Sequence, residues 1–167
     1  GPAGSEDPEL AALAADAVAQ LVSRKLEYRT EDGVFPLRAE DIGVTATHRV
    51  MLARLTEALG PLADVVRVDT PERWQGLERP LMVAVHPLSG VAAPSDFDLN
   101  TGRLCVMTSR HRVGCILVSR DHVADTLESQ LPAAAQPVGR PDAAGRGHAK
   151  HLAVWRWLED RNLICAA

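Results

Sequence analysis

Apolar positions along the chain fall into short blocks with two different periods. From Asp7-Pro8-Glu9 onward, Leu10, Leu13, Ala14, Ala17, Val18, Leu21, Val22 and Leu26 recur at helical spacing, and Glu31-Asp32-Gly33 closes the block with a turn signal. Phe35-Pro36-Leu37 reads as a connector that buries Phe35 and Leu37. Ile42 and Val44 mark a short strand within Asp41 to Ala46. Thr47 can cap the next helix, whose face carries Val50, Met51, Leu55, Ala58 and Leu59 and which Gly60-Pro61 stops. Val65, Val66 and Val68 form a β-branched strand, and Asp69-Thr70-Pro71 ends it. Thr70 suits an N-cap and Pro71 the first helical position, where a missing N–H costs nothing.

Leu81 to Val85 is another apolar run, broken by His86-Pro87 and followed by a Gly, Pro, Ser and Asp loop from Ser89 to Asp98. Leu99 to Arg112 is ambiguous. Leu104, Met107 and His111 fit a helix capped by Asp98 or Asn100, while Leu104-Cys105-Val106 fits a strand. Cys115-Ile116-Leu117-Val118, within Gly114 to Ser119, is a buried-strand run, and Asp121 can cap a helix through Gln130. Residues 132–147 are rich in Ala, Pro and Gly and read as a loop or linker. His148 to Arg161 reads as a last helix with Leu152, Trp155 and Leu158 on one side. The order is helix, strand, helix, strand, strand, helix, strand, helix, helix. Strands alternating with helical crossovers predict an α/β fold with a mostly parallel sheet covered on both faces. Right-handed crossovers then gather Thr47 to Arg49, Thr70 to Glu78, His86 to Ser89 and Ser119 to Asp121 on one edge of the sheet.

Composition narrows the function. A length of 167 residues suffices for a domain with its own core. Only six residues are aromatic, so that core rests on Ala, Val and Leu. A net charge of −4 argues against a strongly basic, autonomous nucleic-acid binder but allows a local basic patch. The three cysteines, Cys105, Cys115 and Cys165, show no paired spacing, which fits a reducing, cytoplasmic setting. No apolar run is long enough to span a membrane, so no membrane partner is expected.

Several chemistries lack their residues. A phosphate-cradling GxxxxGK[ST] loop needs a lysine after glycine, and the two lysines, Lys25 and Lys150, follow Arg24 and Ala149. His148 and His151 are spaced i, i+3 but have no placed third ligand, so they read as surface positions and no metal site is expected. Asp96 and Asp98 lack a suitably spaced lysine for a metal-dependent nuclease, and no GxSxG turn offers a serine nucleophile. What remains is an arginine cluster, Arg103, Arg110, Arg112 and Arg120, with no acidic residue until Asp121.

Three stretches, in order, resemble the superfamily-1 helicases, in the branch holding the RNA-surveillance helicase and its DNA-replication relatives. VDTPERWQGLERP resembles motif V of that family through Val68, Asp69, Thr70, Glu72, Gln75, Gly76 and Glu78, with Trp74 as the aromatic. RLCVMTSRHRVGCILVS resembles motif VI through Arg103, Leu104, Val106, Arg110 and Arg112. DIGVTATHRVMLARL resembles the motif IV region, with Thr47-His48 in place of Pro-Tyr and Met51 in place of Gln. Cys105 stands at the usual Asn of motif VI, and His86-Pro87-Leu88-Ser89-Gly90 replaces a Ser-x-x-Arg-Ser segment.

The resemblance implies a second RecA-like domain, three-layered and without a P-loop, over residues 1–131. A loop or linker (132–147) and a C-terminal helical extension (148–167) would follow. It also implies that Leu99 to Arg112 is helical. The parent would be an ATP-dependent helicase or translocase, with ATP and Mg²⁺ bound between this domain and an N-terminal RecA-like domain of the same chain. This domain, half an active site, would bind no cofactor alone. By resemblance Arg110 is the arginine finger. Gln75, Gly76, Glu78 and Arg112 face the nucleotide. Thr70, Thr47, His48 and Arg49 face a single nucleic-acid strand, DNA in preference to RNA. A reading from another class is a non-catalytic docking module whose C-terminal helix, with Trp155, Trp157 and Leu158, engages a partner.

Overall fold

Asp7 starts the first helix. Its carboxylate accepts the Leu10 N–H at 3.0 Å and Pro8 takes the first helical position, giving α1 (Pro8–Ser23). The computed structural model describes residues 6–91, 93–129 and 143–166. α1 ends before Leu26 because Lys25 turns left-handed, with φ of 49°. No glycine marks that stop, so the helical period runs on past it in the sequence, whereas Leu26 is exposed. An antiparallel hairpin follows, β1 (Glu27–Thr30) and β2 (Gly33–Pro36), closed by Glu31-Asp32. The turn signal therefore joins two strands instead of ending a helix. Phe35 stacks on Tyr28 at 5.8 Å yet stays exposed, and only Leu37 of the expected pair is buried.

The main sheet has four parallel strands, β3 (Ile42–Thr45), β4 (Arg67–Asp69), β5 (Arg79–Val85) and β6 (His111–Val118), in the order β4-β3-β5-β6. The crossovers are α2 (Arg49–Leu59), the single turn α3 (Pro71–Trp74), and α4 (Thr101–Ser109). Beyond β6 come α5 (His122–Ser129) and α6 (Ala143–Glu159). The chain is thus α/β, a parallel sheet flanked by helices. Among the described residues no helix is long and apolar enough to cross a membrane.

Alternation along the strands divides the core. Ile42, Val44, Val83 and Val85 meet Leu10, Ala14 and Val18 of α1 and Met51, Leu55 and Leu59 of α2. Val50 and Ala58 of α2 are exposed, so its apolar face is narrower than the spacing suggests. The opposite sheet face is built on Trp74. A Cβ at Gly43 would lie 2.5 Å from both Met82 Sδ and the Trp74 ring, so the indole rests directly on the strand backbone. The indole N–H donates to the Val44 carbonyl at 3.2 Å. Arg67 and Arg79 place guanidinium groups 5.4 and 5.7 Å from the ring centroid.

Two strands differ from the expected pattern. A 3-10 turn (Gly60–Asp64) follows α2, and the Val65 and Val66 N–H groups donate to its Leu62 carbonyl, so β4 begins only at Arg67. Val66 is buried and Val65 is exposed. β6 is an edge strand, so Ile116 is exposed, Cys115 and Leu117 are half-buried, and Val118 alone of that run is buried.

α6 begins at Ala143, ahead of His148, so residues 143–147 are helical and the rest of the expected linker lies outside the described residues. Trp155 of α6 joins Leu88, Leu99, Val123 and Leu127 in a second apolar cluster.

Candidate functional site

The chain reverses its direction across the sheet between β3 and β5. The carboxyl ends of these strands form the topological switch point, where open α/β sheets bind ligands. A cleft there is lined by Asp7, Thr47, His48, Met51, His86 and Ser89 among others. Its free volume of about 10 Å³ is about that of one water. Thr47 is buried and does not cap α2. The N-cap is His48, which makes no side-chain capping bond. His48 Nε2 instead lies 3.0 Å from Asp98 Oδ1, and Phe97 sits 5.3 Å away, ring to ring. Arg49 is the first residue of α2 and is exposed.

Thr70 sits on the same edge. Thr45 pairs with Asp69 in register, which sets Thr70 beside the end of β3. It is the N-cap residue of α3, without a side-chain capping bond, and Pro71 follows at the first helical position. Arg67 Nη2 reaches Asp69 at 3.1 Å.

The crossover from Thr70 to Arg79 then carries the chain along the sheet to the amino edge. Residues 70–78 therefore do not gather on one edge, and the expected single cluster is split. The physical reason is topological: a parallel crossover must return from a strand's end to its neighbour's start. At the amino edge Arg79 pairs with His111, and the Arg79 N–H donates to the Arg110 carbonyl at 3.0 Å. Gln75, Gly76, Glu78, Arg110 and Arg112 all lie near this junction in the chain path. Gly76 has φ of 76°, which only glycine adopts without strain, and it turns the chain from α3 toward Glu78.

Leu99 to Arg112 is not one helix. Asn100, not Asp98, is the cap, and its side-chain oxygen accepts the Arg103 N–H at 3.0 Å. Asp98 instead accepts from the Ser95 N–H and hydroxyl at 2.9 and 2.6 Å. α4 ends at Ser109, Arg110 is its C-cap, and Arg112 lies in β6. Arg103 and Arg110 therefore do not share a helix face. Arg103 donates to Glu72 at 2.6 Å and lies 3.8 Å over the Phe97 ring. Burial would raise the Glu72 carboxyl, but its own backbone N–H, Arg103 and Thr70 hold it below the usual range. Arg112 pairs with Glu78 at 3.3 Å. Among the described residues, the Arg110 side chain reaches only the Ser109 hydroxyl, at 3.2 and 3.4 Å.

Two histidines read as surface positions are buried. His148 is 9% exposed, and His151 has no exposed surface and no hydrogen-bond partner at either ring nitrogen. The available signal is the i, i+3, i+7 face made by His148, His151 and Trp155. Among the described residues no group of three or more His, Cys, Asp or Glu is arranged to hold a metal ion. No protein-family model matches the chain, and no curated protein matches it.

Proposed function

We propose that this chain is the second, RecA-like motor domain of an ATP-dependent superfamily-1 helicase or translocase. It would work with a P-loop domain of the same parent chain and a single nucleic-acid strand, DNA in preference to RNA. The observation that carries the reading is the state of three arginines spread along α4 and the start of β6. Arg103 and Arg112 are engaged by Glu72 and Glu78, while Arg110, between them in sequence, touches no carboxylate among the described residues. An arginine finger must be free to leave its own domain and meet a γ-phosphoryl group on another wall. Held at the end of α4 and by the Arg79 N–H on its carbonyl, Arg110 is anchored by its backbone and open at its guanidinium. The planar fork would stabilise charge on the transferring phosphoryl group, an effect of about 10³ to 10⁵ in rate.

The separation of the two edges supports the same reading. Thr70, Thr47, His48 and Arg49 would face the strand. Gln75, Gly76, Glu78 and Arg112 would face the nucleotide with ATP and Mg²⁺ bound across the domain cleft. The crossover from Thr70 to Glu78 would then connect grip on the strand to nucleotide state. His48, already engaged with Asp98, would meet a phosphate only through its remaining exposed edge.

The test is Arg110→Ala in the complete parent protein. Nucleic-acid-stimulated ATP hydrolysis should fall to background while strand binding is retained, and Arg110→Lys should not restore it. Wild-type turnover in Arg110→Ala would overturn the finger. Thr70→Ala should weaken strand binding more than ATP binding. A docking module is the second reading, favoured by exposed Trp157, Leu163 and Ile164 at the C-terminal end. A parent with no P-loop ahead of this domain would favour it over the motor.

A further inference from the structure

Four of the six histidines, His86, His122, His148 and His151, lie on α6 or on the elements against it at the carboxyl edge. His86, in the loop after β5, is buried, and its Nδ1 accepts the Leu88 N–H at 3.2 Å. His151 of α6 lies 5.3 Å from it, ring to ring, and Trp155 of α6 lies 6.1 Å away, edge-on. His148 is one turn before His151 on α6. From α5, His122 Nε2 approaches the Leu88 carbonyl at 3.4 Å.

The charged groups nearby offer little to a cation. Asp98 is the carboxylate that acts on His151, and it is already shared by Ser95 and His48. Glu159 is held by the Trp155 indole N–H at 2.8 Å. Lys150 and Arg156 of α6, and Asp121, Asp125 and Glu128 at α5, are exposed. α6 is therefore seated through His86 and His151 in their neutral form, and protonating either would place charge among other imidazoles and apolar groups.

We propose that α6 is an acid-released strap: protonation of the histidines buried between it and the carboxyl edge detaches it from that edge and uncovers the loop His86 to Ser89. This does not depend on the motor reading, since it concerns only how α6 is held. Burial, with His151 and His122 adding to it, lowers His86 to about 3, and burial, with His148 adding to it, lowers His151 to about 4. Both groups sit below the free value of 6.5, so the detached state binds protons that the seated state refuses. Seating is complete above pH 6.5 and is lost as the pH falls from 6.5 toward 4. For His151 alone, the ratio of detached to seated rises about 30-fold between pH 7.5 and 5.0, and His86 multiplies it further if it also becomes hydrated.

Hydrogen exchange of the full chain, corrected for intrinsic rates, tests this at pH 7.5 and 5.0. Amides of α6 should lose protection by about 30-fold or more while β3 and β5 keep theirs. His151→Leu should remove the His151 share of that loss, leaving at pH 5.0 at most what His86 contributes. The proposal is overturned by α6 protection that ignores pH, by simultaneous loss in β3 and β5, or by the same loss in His151→Leu. Should that variant fail to fold, the ring resonances of His86 and His151 in the wild-type chain decide the matter. Titration well below 6.5, together with α6 shifts, supports the strap, and titration near 6.5 without them overturns it.

Discussion

Replacing Arg120 with Leu tests how the N-terminus is fastened to the sheet. Arg120 follows β6, and its Nε and Nη2 donate to Asp7 at 2.8 and 2.6 Å, with Nη2 also reaching Glu9 at 2.8 Å. The Asp7 side chain is 3% exposed, whereas that of Arg120 is 35% exposed. Without the guanidinium, among the described residues a buried carboxylate keeps only backbone donors, the Leu10 N–H at 3.0 Å and the Glu9 N–H. Breaking a buried pair in this way costs about 3–5 kcal/mol. Because the arginine is a third exposed, water can enter its place, and screening brings the expected loss to about 2–3 kcal/mol.

Urea denaturation at pH 7 measures that loss directly, and the pH dependence checks its origin. Arg120 hydrogen bonds hold the Asp7 carboxyl below 3.8, against burial, which pushes it up, and with help from the Leu10 N–H. Sign follows from the direction: the pair's contribution is complete above 3.8 and disappears as the pH falls through the depressed folded value. The wild-type and Arg120→Leu curves should therefore converge in acid. A loss below about 0.5 kcal/mol at pH 7 would refute the reasoning, because that is the range of an exposed ion pair. A loss that stays the same in acid would refute the carboxylate as its cause.

Other substitutions address other contacts. Gly43→Ala forces a methyl into Met82 and Trp74 and should cost about 1–3 kcal/mol, lowering the calorimetric midpoint by about 2–12 °C. An unchanged midpoint would show that Trp74 does not rest on β3. Trp74→Phe removes the indole bond to Val44 and should cost at least about 1 kcal/mol in chemical denaturation, and no loss would dismiss that bond. Asn100→Ala should destabilise by about 1 kcal/mol through the lost cap of α4, with local exchange in Thr101–Ser109 rising first. Equal protection in variant and wild type would rule the cap out.

Much of the architecture is legible in the residues because it depends on local chemistry. Asp7-Pro8 starts α1, Gly60-Pro61 ends α2, and alternating apolar runs form β3 and β5. Helical crossovers between these runs imply a parallel sheet, since adjacent parallel strands cannot be joined by a tight turn. The residues that carry the helicase resemblance are likewise visible as letters in order: Thr70, Gln75, Gly76, Glu78, Arg110 and Arg112.

Where those letters stand was decided by tertiary structure. Whether Val65 and Ile116 are buried depends on the 3-10 turn before β4 and on β6 lying at an edge, neither of which a residue pattern encodes. The hairpin of β1 and β2 depended on Lys25 turning left-handed without a glycine to announce it. The stretch from Thr70 to Glu78 is continuous in sequence but joins opposite edges of the sheet, because a parallel crossover must span the sheet's height. His86 and His151 are 65 positions apart in numbering and in ring contact in space, so no local rule could pair them. Sequence determines which groups are available and which local turns they prefer. The packed sheet determines which groups lose water and which gain a partner: Arg120 keeps Asp7 charged against that loss, and the loss itself leaves His86 and His151 neutral.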